Sequence, residues 1–258
     1  MVAQKPTIVL IPGAWHYPQC FDLLVDRLHE LNYETRQIKL KSVVTPDESR
    51  TRSHQEDVVV TREAIDPLIE QGKEVIVLGH SYGGRVVSEA ALGLGKQGSK
   101  QGGVVHLIYC CAFVIENGES IFSLMQNPTL AAGLPSHFAA VEEDGVTLRV
   151  LEEHAIDTFY HDLEPVLAQK MVDNLGLHSF LAFKSSQEHC AHREIPTTYI
   201  LCEQDRAIFP FVQQHMIEAG DIKDVVKLNA SHSPFLSMPD EVVGIINRIA
   251  EQKENAQS

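Results

Sequence analysis

Gly79-His80-Ser81-Tyr82-Gly83-Gly84 joins the apolar run Glu74-Val75-Ile76-Val77-Leu78 to the helix-forming run Arg85-Val86-Val87-Ser88-Glu89-Ala90-Ala91-Leu92. A strand that turns straight into a helix through G-x-S-x-G holds its serine on a sharp, strained bend at the edge of a sheet. Gly79 and Gly83 suit that bend because side chains there would collide across it. Ser81 is thereby presented as a nucleophile, and the rest of the chain has to supply a base.

Other apolar runs flank this one. Thr7–Ile11, Tyr33–Ile38, Val104–Phe113, Thr197–Cys202 and Asp224–Leu228 read as strands. Helical spacing is carried by Phe21, Leu24, Val25 and Leu28, by Val58, Thr61, Ile65 and Ile69, by 211–219 with Gly220 as its cap, and by Val242, Ile245, Ile246 and Ile249. Pro67 is expected to kink the second of these helices. Strands that are apolar throughout, alternating with helices, imply a mostly parallel sheet with helices on both faces. The stretch from about Ile115 to Arg193 breaks the rhythm: it is rich in helix formers and aromatics and holds no convincing buried strand. It reads as a helical cap, giving a core of 1–114 and 194–258 and an inserted cap (lid) of 115–193.

Composition narrows the function. A formal charge of −14 without a Lys/Arg cluster argues against nucleic acid or an anionic membrane as partner. No signal peptide and no apolar run long enough to span a bilayer is visible. Cys20, Cys110, Cys111, Cys190 and Cys202 lack framework spacing and suit packing in a reducing, cytoplasmic compartment. A small-molecule substrate is the expected partner, and the sequence leaves the oligomeric state open.

A serine hydroxyl needs a neighbouring imidazole to take its proton. Of the thirteen histidines, His232 has the right context, in Ala230-Ser231-His232-Ser233-Pro234-Phe235 just past the last strand. Loops leaving the C-terminal ends of parallel strands gather on one edge of the sheet, the edge that carries Ser81. His80 neighbours the serine but must point away from it at the turn, a structural position. Asp205, in Glu203-Gln204-Asp205-Arg206 after another strand, is the candidate carboxylate to orient the imidazole; Glu203 and Glu116 are the alternatives. Charge developing on a carbonyl oxygen calls for preorganised donors, here the backbone N–H of Tyr82 and, from Pro12-Gly13-Ala14-Trp15-His16, that of Ala14. Trp15, His16, Phe159 and Tyr160 are candidate pocket walls, with plain packing as the competing reading.

Gly79–Gly84, Pro12–His16, Asp205–Pro210 and Ser231–Phe235, in this order across nearly the whole chain, resemble the α/β-hydrolase superfamily. More narrowly they are similar to its small-cap group of plant methyl esterases and hydroxynitrile lyases. The resemblance implies a Ser81–Asp205–His232 triad and hydrolysis of a small carboxylic ester, lactone or thioester, with no cofactor or metal required. Pro12 stands where many members carry histidine, which affects loop geometry only. The lyases typically have threonine at the position of Gly13 and lysine at that of Ser233, so neither lyase signature is present. Two rival readings stay open: the same triad serving lyase or carbon–carbon cleavage chemistry, and a ligand-binding receptor on this scaffold. His189-Cys190-Ala191-His192 matches no established zinc spacing and shows no second ligand pair, so no metal is expected.

Overall fold

The computed structural model describes residues 5–45, 47–48, 52–96, 98 and 102–257. Its strands in chain order are β1 (Thr7–Ile11), β2 (Thr35–Gln37), β3 (Val43–Val44), β4 (Glu74–His80), β5 (Gly103–Cys110), β6 (Ala139–Val141), β7 (Thr147–Val150), β8 (Leu177–Ser179), β9 (Thr197–Cys202) and β10 (Asp224–Leu228). Six of them form one sheet, in the order β10-β9-β5-β4-β1-β2, and every pairing in it is parallel. The continuous apolar runs account for this. β1 is buried along its whole length, and β4 from Val75 to His80, as strands covered on both faces must be. The sheet carries the expected architecture, an α/β-hydrolase fold.

Between β5 and β9 the structure differs from the all-helical reading. The helices Ile121–Gln126, Pro165–Asp173 and Phe180–Lys184 are joined there by β6, β7 and β8, which with β3 make a four-stranded antiparallel sheet in the order β3-β8-β7-β6. These strands are three or four residues long, too short for periodicity to separate them from loop. A turn signal was nonetheless present. Asp144-Gly145 sits at the tip of the β6–β7 hairpin, with Gly145 at φ +70° and Glu142 N–H donating to the Thr147 carbonyl at 2.8 Å.

The helix His54–Glu70 runs without a break through Pro67 and ends three residues beyond it. The start of that helix is fixed by the Ser53 N–H, which donates to Glu56 Oε2 at 2.7 Å. All five cysteines are free and buried, in line with packing roles. Among the described residues no helix is long and apolar enough to cross a membrane.

The loops after β1, β4, β9 and β10 leave the same edge of the parallel sheet, and they carry Ala14, Ser81, Asp205 and His232. Close packing at that edge leaves no room for side chains at two positions. A Cβ on Gly83 would stand 2.5 Å from the Ile11 carbonyl oxygen, and one on Gly79 2.7 Å from that of Gly83. Gly83→Ala is therefore expected to lower the free energy of unfolding by about 2–3 kcal/mol. Gly244→Ala, in the helix Pro239–Gln257 with open space around the added methyl, is expected to raise it by about 0.5–1 kcal/mol. Urea unfolding of the two variants checks the pair; equal midpoints would contradict the steric account.

Candidate active site

Ser81 sits at φ +52°, a left-handed conformation that costs a non-glycine residue energy and persists only where the surroundings enforce it. Here they do so on both sides of the peptide. The Ser81 N–H donates to the Cys110 carbonyl at 3.2 Å, and its own carbonyl accepts from Phe113 N–H at 3.0 Å and Gly84 N–H at 3.1 Å. The loop after β1 crosses directly over this bend: a Cβ on Gly13 would lie 3.1 Å from that of Ser81 and 2.9 Å from His80 Nδ1.

The His232 imidazole and the Asp205 carboxylate meet. His232 Nδ1 lies 2.7 Å from Asp205 Oδ2, and both side chains are buried. Asp205 is held ready for this contact. Its Oδ1 accepts from the N–H groups of Ala207 at 2.8 Å and Ile208 at 2.9 Å, and Oδ2 also accepts from Gln213 Nε2 at 3.1 Å. Donors placed in this way fix the orientation of a buried carboxylate. With Nδ1 engaged, Nε2 is the nitrogen of His232 left for the cavity, which Ser81 and His232 both line. Glu203 is exposed, and Glu116 pairs with Arg193 at 2.6 Å, so neither alternative carboxylate takes the place of Asp205.

His80 has a structural post. Its Nε2 donates to the His232 carbonyl at 2.8 Å, and Cys111 Sγ contacts the same oxygen at 3.3 Å. The ligating atoms of His80, Cys111 and His232 lie within 4.8 Å of one another. Hydrogen bonds account for that gathering, since two of the groups point at one carbonyl and the third at Asp205.

The cavity measures about 320 Å³ and is walled by Trp15, Phe122, Phe138, Phe159, Phe180 and Phe183 among other apolar groups. Gln126 and Ser136 are its polar residues away from Ser81 and His232, and among the described residues no Asp, Glu, Lys or Arg lines it. Ala14 and Tyr82 line it beside Ser81, and their N–H groups find no acceptor among the described residues. Trp15 and Phe159 stand in the wall. His16 and Tyr160 do not: His16 Nε2 and the Tyr160 hydroxyl pair at 2.6 Å, and both residues line a separate cavity behind the loop. His16 Nδ1 closes on the Ala14 carbonyl at 2.7 Å, so the residue braces the loop from behind.

Three supporting residues escaped the sequence reading. Asp57, fully buried on the helix His54–Glu70, accepts from the Tyr82 hydroxyl at 2.6 Å and from Ser42 N–H at 2.9 Å. Gln213 cross-links the Asp205 loop to β9 through the Cys202 N–H at 3.1 Å and the Ile208 carbonyl at 2.7 Å. Asp162 accepts from both the N–H and the hydroxyl of Ser231, the residue before His232. No local signal marks any of them, because Asp57 and Asp162 meet partners in distant segments and Gln213 reaches back across a loop to the end of β9; only the polar character of positions later found buried hinted at a role.

Comparison with known proteins places these elements in context. Residues 8–245 match the alpha/beta hydrolase family. The alpha/beta hydrolase nvfD of Aspergillus novofumigatus is 34% identical over 249 residues, covering 95% of this chain and 97% of that one. Among solved structures, a pyrethroid hydrolase from Sphingobium faniae JZ-2 superposes with a TM-score of 0.76 at 24% identity, covering 96% of this chain and 98% of the other. A methylesterase from Arabidopsis gives 0.76 at 18% identity, with 94% and 98% covered.

The buried histidines around the site set an acid limit on stability. Burial drives His178 down to about 3 and His16 to about 4, and puts His80 well below the usual histidine range. In the unfolded chain such groups titrate near 6.5. Between about pH 6.5 and 4 the unfolded state thus binds protons that the folded state refuses, so stability is present above 6.5 and lost as pH falls. Urea unfolding is expected to lose up to about 1.4 kcal/mol per pH unit for each such histidine over that window. His178→Leu removes a ring with neither nitrogen hydrogen-bonded among the described residues, and should flatten the slope by about one proton. An unchanged slope in that variant would contradict the assignment.

Proposed function

The chain belongs to the alpha/beta hydrolase family, and from that membership we propose that it hydrolyses an apolar carboxylic ester through an acyl-enzyme on Ser81. The observation that carries this reading is the buried Asp205–His232 pair at 2.7 Å, opening on the cavity that Ser81 lines. In the proposed sequence the Ser81 hydroxyl attacks the ester carbonyl while His232 Nε2 takes its proton. Asp205 keeps the ring in the tautomer with Nδ1–H and stabilises the imidazolium. The N–H groups of Ala14 and Tyr82 receive the developing oxyanion; one such donor is worth about 3 kcal/mol of transition-state stabilisation. His232 then protonates the departing alcohol. A water activated by the same imidazole attacks the acyl group and releases the acid.

The cavity supports a choice of substrate. Its aromatic and aliphatic wall stabilises apolar acyl or alcohol groups by removing them from water, while a charged group would lose its hydration without a partner. Its volume suits a small organic ester. The stretch 115–193 is the cap in this reading, since Phe122, Phe138, Phe159, Phe180 and Phe183 all come from it. The reduced, buried cysteines support a cytoplasmic place of work.

Two measurements test the proposal. With p-nitrophenyl esters, a burst of nitrophenol and a mass shift on Ser81 are expected. Ser81→Ala and His232→Ala should each cost on the order of 10⁴-fold or more in kcat with circular dichroism unchanged. Turnover that survives both substitutions refutes the assignment, and ligand binding without any turnover by the parent favours a receptor instead. Across unbranched acyl chains from acetate to hexanoate, kcat/KM is expected to rise about fourfold per methylene, the equivalent of about 0.8 kcal/mol for each buried CH₂. A flat series would argue against the apolar pocket as the acyl site.

A further inference from the structure

The stretch 115–193 enters and leaves the core side by side, and its two ends are tied at Gly118 N–H to the Gln187 carbonyl, 2.8 Å, and Gln187 N–H to the Glu119 carbonyl, 2.6 Å. At this neck Glu116 from the entering chain meets Cys190 and His192 from the leaving chain, and one ligating atom of each lies within 4.8 Å of the others. The polar groups there are left unsatisfied. The His192 side chain has no exposed surface, and neither of its ring nitrogens has a hydrogen-bond partner among the described residues; the same holds for Glu116 Oε1. Buried polar atoms are almost always paired, so the unpaired Nε2 of His192 and Oε1 of Glu116, close to each other, call for an explanation such as a bound ion.

We propose that this neck binds a single divalent cation of the zinc class, held by Cys190 Sγ, His192 Nε2 and Glu116 Oε1. Nε2 and Oε1 already stand 3.8 Å apart, near the roughly 3.3–3.8 Å between neighbouring ligands of a tetrahedral ion with bonds of about 2.0–2.3 Å. A thiolate, an imidazole and a carboxylate form a donor set that selects zinc over calcium or magnesium. Arg193 Nη2 donates to the other carboxylate oxygen, Oε2, at 2.6 Å, which orients Glu116 and leaves Oε1 for the ion. The thiol of Cys190 is turned inward, 3.1 Å from Asn117 Oδ1 and 3.4 Å from the Ile115 carbonyl. On binding, Sγ gives its proton to solvent as the sulfur–metal bond forms, and nothing is oxidised or reduced. The fourth coordination position falls to water or to Asn117 Oδ1. The ion would join both chains of the neck at one point, a structural role independent of the reaction at Ser81. Spacing alone pointed away from a metal because the third ligand is distant in sequence.

The test uses the full chain freed of metal by a chelator and titrated with Co²⁺, whose thiolate complexes give a near-ultraviolet charge-transfer band. The band is expected to saturate at one Co²⁺ per chain and to vanish when Zn²⁺ is added. Cys190→Ser should abolish it, and His192→Gln should weaken binding by about tenfold or more, with circular dichroism confirming the fold of each. If Cys190→Ser fails to fold, His192→Gln decides by the same band. Absence of the band in the parent, or a band that persists unchanged in these variants and so belongs to another thiol such as Cys111, overturns the proposal.

Discussion

The bend at Ser81 is the constraint on which the other parts depend. A left-handed serine is held in place only if its neighbours leave it no alternative, and here the neighbours are backbone. The ends of β1 and β5 and the start of the helix Gly83–Ala90 close on it so tightly that Gly79 and Gly83 have no space for a methyl group. Strain of about 1–3 kcal/mol at one residue is thus carried by a sheet whose central strands, β4 and β5, are buried but for Glu74 and His106. The same closeness brings the loop of Gly13 and Ala14 over the serine, so the positions of the hydroxyl and of the nearby N–H groups are consequences of one packing arrangement.

The imidazole is positioned by a second arrangement, built outward from its backbone. His80 and Cys111 hold the His232 carbonyl, Asp162 holds the preceding Ser231, and Asp205 holds the ring. Each contact comes from a different segment of chain. A buried hydrogen-bonded pair alone is a weak source of stability, because desolvation offsets most of its attraction. The value of this one lies in geometry: Gln213 and two backbone amides satisfy the remaining acceptors of Asp205, so the carboxylate has one orientation in which every lone pair is used.

Much of this was legible along the chain. Thr7–Ile11 and Thr197–Cys202 begin and end where their apolar runs do, because a strand buried on both faces leaves an unbroken signature, and Asp224–Leu228, a partly exposed edge strand, keeps its bounds as well. Ser81, Asp205 and His232 were marked by following strands directly. The hairpin of β6 and β7 was not recognised, although Asp144-Gly145 announced its turn, since the flanking strands are too short to show alternation. Asp57, Asp162 and Gln213 were illegible for a different reason. A carboxylate or amide that grips the backbone of another element has the same local sequence as one that faces water, and only the tertiary fold separates the two. His16 shows the converse: next to Trp15 it read as a pocket wall, yet one residue along the loop turns the side chain to the back, where Tyr160 meets it.

The helix Gly83–Ala90 links these arrangements to the stretch 182–188. Arg85, fully buried, donates to the Ala182 carbonyl at 2.6 Å and the Ser185 carbonyl at 3.0 Å, and its own carbonyl accepts from Gln187 at 3.1 Å. One helical turn on, Glu89 accepts from the Glu188 N–H at 2.8 Å and from Gln55 at 2.7 Å, and meets His54 at 2.9 Å. Burying a guanidinium is costly unless its donors are used, and burial does pull Arg85 below its ordinary range, against the opposing pull of Tyr82, Glu89 and Asp57. An apolar contact would hold residues 182–188 without fixing their register. What directional bonds add is register: they accept one placement of residues 182–188 and reject slides along the helix. Phe180 and Phe183, which wall the cavity, belong to the same short segment. The helix that begins at the strained serine therefore also sets how far the aromatic wall stands from it, and the shape of the cavity follows from the packing of the bend.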